Sequence, residues 1–259
     1  MSITVKAGTA TPFVFFVVLT IILVVFTLIG RTGKKFALRK LPAIEAIPDA
    51  VGRAVEMGRP IVFDWTGRAA LGKATQLEAM ATISVFQYVL GLTAERGANL
   101  ICHTSEYTQI PLVTDMGKTV YAAKGKPEGF TDANIRFFPV WDHCFKRDAM
   151  DKEKPAAAIA IGPQNACDFH WMQKGIDYGT FMIGGSARMV IEGYLMVLCD
   201  YCLITEEVFA AGAYLTEEPQ LLCTVAGGDL VRYIFIVIIA VGTVLSALGL
   251  TTLTTMLKT

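Results

Sequence analysis

Hydrophobic residues are not spread evenly along this chain. From Ala7 to Gly30 no residue is charged, and the stretch reads PFVFFVVLTIILVVFTLIG at its centre. From Tyr233 to Leu257 the same holds: YIFIVIIAVGTVLSALGLTTLTTML. Each run exceeds the roughly 20 residues that cross about 30 Å of hydrocarbon as a helix. The pattern predicts transmembrane helices over 11–30 and 232–256, short tails at 1–10 and 257–259, and one domain over 31–231 between them. The first run is too long for the apolar part of a cleaved leader and ends on TLIGRTGKK, so an uncleaved anchor is expected.

The middle alternates between two periods. Short apolar runs predict strands at 60–65 (PIVFDW), 98–104 (ANLICHT), 135–140 (IRFFPV), 156–162 (AAAIAIG), 180–185 (TFMIGG) and 199–205 (CDYCLIT). Stretches with helical spacing lie between them, at 43–58, 74–97, 106–125, from Trp141 onward, and at 163–179. Pro48 marks a candidate true start for the first of these, Pro163 opens the last, and Pro111 and Gly117 interrupt the third. Strands that alternate with helices indicate an α/β fold: a Rossmann-like, mostly parallel sheet with helices on both faces, flanked by the two spans.

Charge then orients the chain. Arg31, Lys34, Lys35, Arg39 and Lys40 follow the first run, whereas only Lys6 precedes it; Arg232 precedes the second run and Lys258 follows it. The excess of basic residues marks the cytoplasmic side, so the domain is expected in the cytoplasm with both termini outside. A reducing compartment makes free thiols the default for the six cysteines. The chain has no formal net charge and a pI near 6.8, which gives no reason to expect nucleic acid as a partner.

Ligands of open parallel sheets bind at the carboxyl ends of the strands. That rule selects Asp64 and Thr66, His103 and Thr104, Gly184, Gly185 and Ser186, and Glu206 and Glu207 as a candidate crevice. The plainer account is that such residues cap the following helices, with Thr205 capping the one that Glu206 opens. No G-x-x-x-x-G-K-[ST] is present, and DWTGRAALG stands where G-x-G-x-x-G would follow the first strand. No G-x-S-x-G or H-E-x-x-H occurs either. No catalytic residue, metal ligand or cofactor is assigned. The pair Cys199 and Cys202 falls within a predicted strand, where positions three apart face opposite sides, so a disulfide or shared metal is not expected there. In VFAAGAYL, a glycine inside a helix implies that something approaches the backbone closely; Ala210, Ala211, Gly212 and Ala213 are therefore a candidate packing face or self-association interface.

Two stretches, A-x-E-x-x-x-x-x-V-G-R-A-x-E-M-G-R-P (43–60) and C-D-Y-x-L-I-x-E-E-x-F-A-A-G-A-Y-L (199–215), resemble an uncharacterised domain-of-unknown-function family of bacterial and archaeal membrane proteins. The resemblance extends over about residues 15 to 250. It implies an N-terminal span, a Rossmann-like domain and a C-terminal span, and no activity. The position of Cys202 is not typically cysteine in that pattern. The sequence thus leads first to a membrane-anchored interaction protein that self-assembles or docks a partner beside the bilayer. The second expectation is a module that binds or senses a small ligand at the strand ends.

Overall fold

The computed structural model describes residues 10–34, 36, 38–65, 76–138, 143–164 and 168–247. The chain divides into two compact units, Met1–Arg39 with Thr216–Thr259, and Lys40–Leu215.

The larger unit is an α/β domain. Helices α2 (Pro42–Glu45) and α3 (Ile47–Met57) lead into β1 (Ile61–Trp65). Then follow α4 (Gln76–Arg96), β2 (Leu100–Thr104), α5 (Gln109–Ala123), β3 (Ile135–Phe137), α6 (His143–Glu153), β4 (Ala157–Ile161), α7 (Phe169–Asp177), β5 (Phe181–Ser186), α8 (Met189–Leu198), β6 (Tyr201–Ile204) and α9 (Glu206–Thr216). The six strands form one parallel sheet in the order β3-β2-β1-β4-β5-β6. This is the doubly wound order, which reverses direction between β1 and β4.

All six predicted strands are present as short apolar runs; β1, β2, β4 and β5 are buried on both faces, and the edge strands β3 and β6 are partly exposed. Pro48 does sit in the first turn of α3, and that helix ends on Gly58 in the left-handed conformation (φ 60°). Two helices differ from their sequence pattern. Helix α5 runs through Pro111 and Gly117 without a break. Pro111 lies in its first turn, where a missing N–H costs nothing, and Gly117 is where the buried Phe130 ring lies on the helix, in space a side chain would fill. Helix α7 begins at Phe169 rather than near Pro163; the chain first turns through Gly162 (φ 134°) and Gln164.

Alternate residues of each strand build two different layers. One face presents Ile61, Phe63 and Trp65 of β1, Leu100 and Cys102 of β2, Ile159 and Ile161 of β4, and Ile183 and Leu203 to α3, α4, α5 and α9. Phe86 of α4 meets the rings of Phe63 and Trp65 at 4.9 and 5.2 Å. The other face presents Val62, Ile101, Ala158, Ala160 and Met182 to α6, α7 and α8.

In the smaller unit, α1 (Ala10–Gly30) and α10 (Pro219–Ala247) pack along each other. Both are long and apolar enough to cross a membrane. They run antiparallel. The Gly30 backbone meets Gln220, Thr27 Oγ1 lies 3.0 Å from Thr224 Oγ1, Gly227 faces Phe26, and Phe15 and Phe235 make an edge contact at 5.3 Å. Helix α10 starts thirteen residues before the position expected from the charge-free run at 232 and is continuous through Asp229 and Arg232.

Candidate functional site

Where the strand order reverses, Asp64 stands one residue from the end of β1, on the face toward α6 and α7. Helix α6 turns Lys146, Met150 and Glu153 inward, a spacing of four and three residues that keeps them on one stripe. Lys146 Nζ donates to both carboxylate oxygens of Asp64, at 2.9 and 3.0 Å. It also lies 3.5 Å from Oδ1 of Asp168, which precedes the first turn of α7. All three side chains are fully enclosed. Along the sheet, Asp64 is registered with His103 of β2, and His103 with Arg136 of β3. Glu153 spans these two, with Oε2 3.1 Å from His103 Nε2 and Oε1 3.1 Å from Arg136 Nε.

This layer carries more negative than positive fixed charge, and it carries it away from water. Burial, with the neighbouring Asp168 adding to it, raises the Asp64 carboxyl above its ordinary range, although Lys146 and His103 pull it down. Burial alone would lower the Lys146 ammonium. The charges of Asp64 and Asp168 and the hydrogen bonds they accept outweigh it, so Lys146 sits above its usual value. The two shifts have different main causes, burial for Asp64 and the paired carboxylates for Lys146, and both favour the protonated form.

A second polar group lies around the ends of β4 and β5. Glu78, in the first turn of α4, accepts from Ala187 N–H at 2.7 Å and faces Arg188 Nε at 3.8 Å. Arg188 donates in turn to the Gln164 carbonyl at 3.2 Å. In doubly wound folds that bind dinucleotides, the start of the helix after β1 holds a pyrophosphate. Here the chain's own carboxylate takes the favourable position near the positive end of the helix.

Several enclosed polar atoms near the strand ends have no hydrogen-bond partner among the described residues. They are Trp65 Nε1, His103 Nδ1, Glu106 Oε2, Thr108 Oγ1 and Gln164 Oε1. They lie at or just after the carboxyl ends of β1, β2 and β4, Trp65 on one face of the sheet and His103 on the other. A group of this kind costs about 1–3 kcal/mol when nothing pairs with it, and native proteins hold few.

Of the residues the sequence singled out, Asp64 and His103 enter the charged layer. Thr104 donates instead to Gln109 Oε1, at 2.6 Å. Thr66 lies outside the described residues. Gly184 and Gly185 belong to β5 rather than to an anion-binding loop: a Cβ on Gly184 would stand 2.6 Å from Cys199 Sγ, and one on Gly185 3.1 Å from Leu203. Ser186 closes β5 and accepts from Arg188 N–H. Glu206 opens α9, and the buried Glu207 accepts from Ile204 N–H at 3.1 Å. Thr205 does not cap this helix through its hydroxyl, which donates to Glu192 of α8, as does its N–H. Lys146, Glu153, Arg136 and Asp168 went unselected. A lysine and a glutamate seven apart on the face that also carries Met150 were the available signal.

Two further expectations change. Cys199 ends α8 and only Cys202 lies in β6, so the strand rule does not apply to the pair. Cys202 is registered with Gly184, over which Cys199 Sγ lies, and the two thiols share a hydrogen bond. That bond, with burial, pushes the Cys199 thiol up, and it draws Cys202 down. The Ala-Gly run packs inside its own chain. Ala210, Ala211 and Ala213 are buried, and a Cβ on Gly212 would lie 3.0 Å from Ser84 Oγ of α4.

At the opposite end of the sheet, a cavity of about 290 Å³ is lined by Arg53, Phe181, Cys199 and Asp200, among others. The Arg53 guanidinium stacks on the Phe181 ring at 4.3 Å, and Asp200 accepts from Met182 N–H at 2.8 Å. No group of three or more histidine, cysteine, aspartate or glutamate side chains placed to hold a metal ion occurs among the described residues.

The fold and the buried ion network define a doubly wound α/β domain with a polar layer beneath its carboxyl edge. The chain belongs to the family described as a domain of unknown function, DUF6754, which matches residues 3–257. No curated protein and no solved structure matches it.

Proposed function

We propose that this is a membrane-anchored protein whose α/β domain binds a small polar ligand across the carboxyl ends of β1, β2 and β4. The observation that carries this reading is the set of enclosed polar atoms without partners among the described residues, Trp65 Nε1, His103 Nδ1, Glu106 Oε2 and Gln164 Oε1, at the carboxyl ends of these strands. The surrounding charge selects the ligand class. Glu78, Glu106, Asp64, Asp168 and Glu153 outnumber Lys146, Arg136 and Arg188, and two of the atoms without a partner among the described residues, Glu106 Oε2 and Gln164 Oε1, are acceptors. A neutral or cationic molecule rich in donors, such as a polyol or an amine, suits this setting better than a phosphate. The basic residues after α1 favour a cytoplasmic domain with both termini across the bilayer. Thermal unfolding of the full chain in mild detergent, against a panel of polyols, amines and nucleotides, tests the reading. A polyol or amine should raise Tm, and Gln164→Leu should abolish the rise. A panel in which no compound moves Tm overturns it.

The interaction role expected from the sequence has a specific observation in its favour, though not at the Ala-Gly run. Helix α8 exposes Val190, Tyr194 and Val197 on one stripe beside the edge strand β6, with Val190 and Val197 80% and 81% exposed. In this reading the stripe seats a second α/β domain. Native mass spectrometry of wild type against Tyr194→Glu tests it: a stoichiometry that does not fall in the variant removes this role.

A further inference from the structure

The turn between α8 and β6 brings two thiols together over a glycine. Cys199 closes α8, its N–H donating to the Leu195 carbonyl, and the chain then bends at Asp200 into β6. Cys202 is registered with Gly184 of β5. Registered residues of neighbouring parallel strands stand about 4.8 Å apart and point to the same side of the sheet. A Cβ on Gly184 would therefore lie beside that of Cys202, and Cys199 Sγ stands only 2.6 Å from that position. A side chain at 184 would take the place of this thiol. Both cysteines pack against the layer of Met172, Met182 and Leu195, and they share a hydrogen bond. A bond between them thus starts from side chains already in contact.

Cys199 also lines the cavity of about 290 Å³ that it shares with Arg53, Phe181 and Asp200. Arg53 and Asp200 are exposed, so the cavity opens at the surface. The Arg53 guanidinium is held over the Phe181 ring at 4.3 Å, and the Asp200 carboxylate by the Met182 N–H at 2.8 Å. A placed guanidinium suits a carboxylate, and a placed carboxylate suits an ammonium. A molecule that carries both beside a sulfur atom is an amino-acid disulfide, and the cavity has room for one the size of cystine. The two thiols hold their protons unequally. Their hydrogen bond, with burial, raises Cys199, and the same bond draws Cys202 down, so Cys202 ionises first. The thiolate is held by the neighbouring S–H rather than by a helix start.

We propose that Cys199 and Cys202 are a reversible dithiol–disulfide pair, oxidised by an amino-acid disulfide seated in this cavity between Arg53 and Asp200. Cys199 Sγ attacks the nearer sulfur of the bound disulfide as its proton passes to the Cys202 thiolate. The S–S bond of the ligand breaks; one half leaves as a thiolate and the other stays joined to Cys199. The departing thiolate takes the proton from Cys202, and Cys202 Sγ attacks Cys199 Sγ. A bond forms between the two cysteines, and the second half leaves as a thiolate, which takes its proton from water. The protein gives up two electrons, and the ligand's disulfide becomes two thiols. This site lies at the opposite end of the strands from the proposed ligand crevice and does not depend on it.

The full chain in mild detergent, reduced and then freed of reductant, is treated with excess cystine, quenched in acid at timed intervals and mapped by mass spectrometry. The wild type should gain a bond between Cys199 and Cys202 that dithiothreitol reverses. Cys202→Ser should instead accumulate a half-cystine adduct on Cys199. A wild type that forms no such bond overturns the proposal, as does a Cys202→Ser chain that forms no adduct at Cys199. Arg53→Gln separates the cavity from the thiols. This variant should react with cystine about tenfold more slowly than wild type, and with the uncharged hydroxyethyl disulfide at the wild-type rate. A variant slowed equally toward both, or toward neither, overturns the assignment of the disulfide to this cavity.

Discussion

The two faces of the sheet are made by the same strands and stabilised in different ways. Toward α3, α4, α5 and α9 the layer is almost wholly apolar, built on Phe63, Trp65, Phe86, Ile159 and Ile161. Toward α6, α7 and α8 an apolar layer of Val62, Ala158, Met172 and Met182 surrounds an ionic one of Asp64, Lys146, Asp168, His103, Glu153 and Arg136. Apolar packing is non-directional, and any residue of about the right volume serves. Enclosed charges are stabilised only by particular partners at particular distances, so the second face ties β1, β2, β3, α6 and α7 to one arrangement. The first face holds the fold together, and the second gives the carboxyl edge its chemistry.

The comparison breaks most sharply at Lys146. Lys146→Met keeps the volume and leaves Asp64 and Asp168 enclosed without their cation, which should lower stability by about 3–5 kcal/mol at neutral pH in denaturant unfolding. Replacing all three, as Asp64→Val/Lys146→Met/Asp168→Val, makes this face resemble the other. Recovery to near wild-type stability would show that the ions are not needed for folding.

On the apolar face, Gly117→Ala inserts a methyl group where the Phe130 ring lies. It should cost about 1–3 kcal/mol, a loss that Phe130→Leu in the same chain partly relieves in a double-mutant cycle.

Asp64 adds a pH signature that the apolar face lacks. Its carboxyl is raised above 3.8, so the folded chain holds a proton that the unfolded chain gives up. The stability it contributes is full below about 3.8 and is lost as pH rises through the folded value. In urea melts from pH 4 to 8, the advantage of wild type over Asp64→Asn should therefore shrink as pH rises. A gap that widens instead reverses the assignment.

The smallest effect lies outside both layers. Lys118 and Asp132 form an ion pair at 3.0 Å with side chains 53% and 80% exposed, and Lys118→Ala should change stability by less than about 0.5 kcal/mol.

Strand positions were legible in the sequence because each strand is a short apolar run bounded by turn residues; PIVFDW and AAAIAIG announce themselves. The start of α7 was not, since Pro163 is a good first helical residue and only the turn at Gly162 and Gln164 shows that it is used otherwise. The strand-end rule found Asp64 and His103. It could not find Lys146 or Glu153, which reach the site from the first turn and the last residue of a helix. Nor could it tell that Thr104 and Glu207 would be taken up by local hydrogen bonds.

By itself, then, the sequence determined the α/β class, the six parallel strands and two helices able to cross a bilayer, because these follow from local periodicity and from the length of apolar runs. Only the tertiary structure decided which residues share a layer and how the long helices are staggered. It set Lys146 against Asp64, turned the Ala-Gly run inward onto Ser84, and laid Cys199 over Gly184 beside Cys202. Those outcomes depend on the register between elements distant in the chain, and register is fixed by packing contacts such as Gly227 against Phe26, which no local pattern encodes.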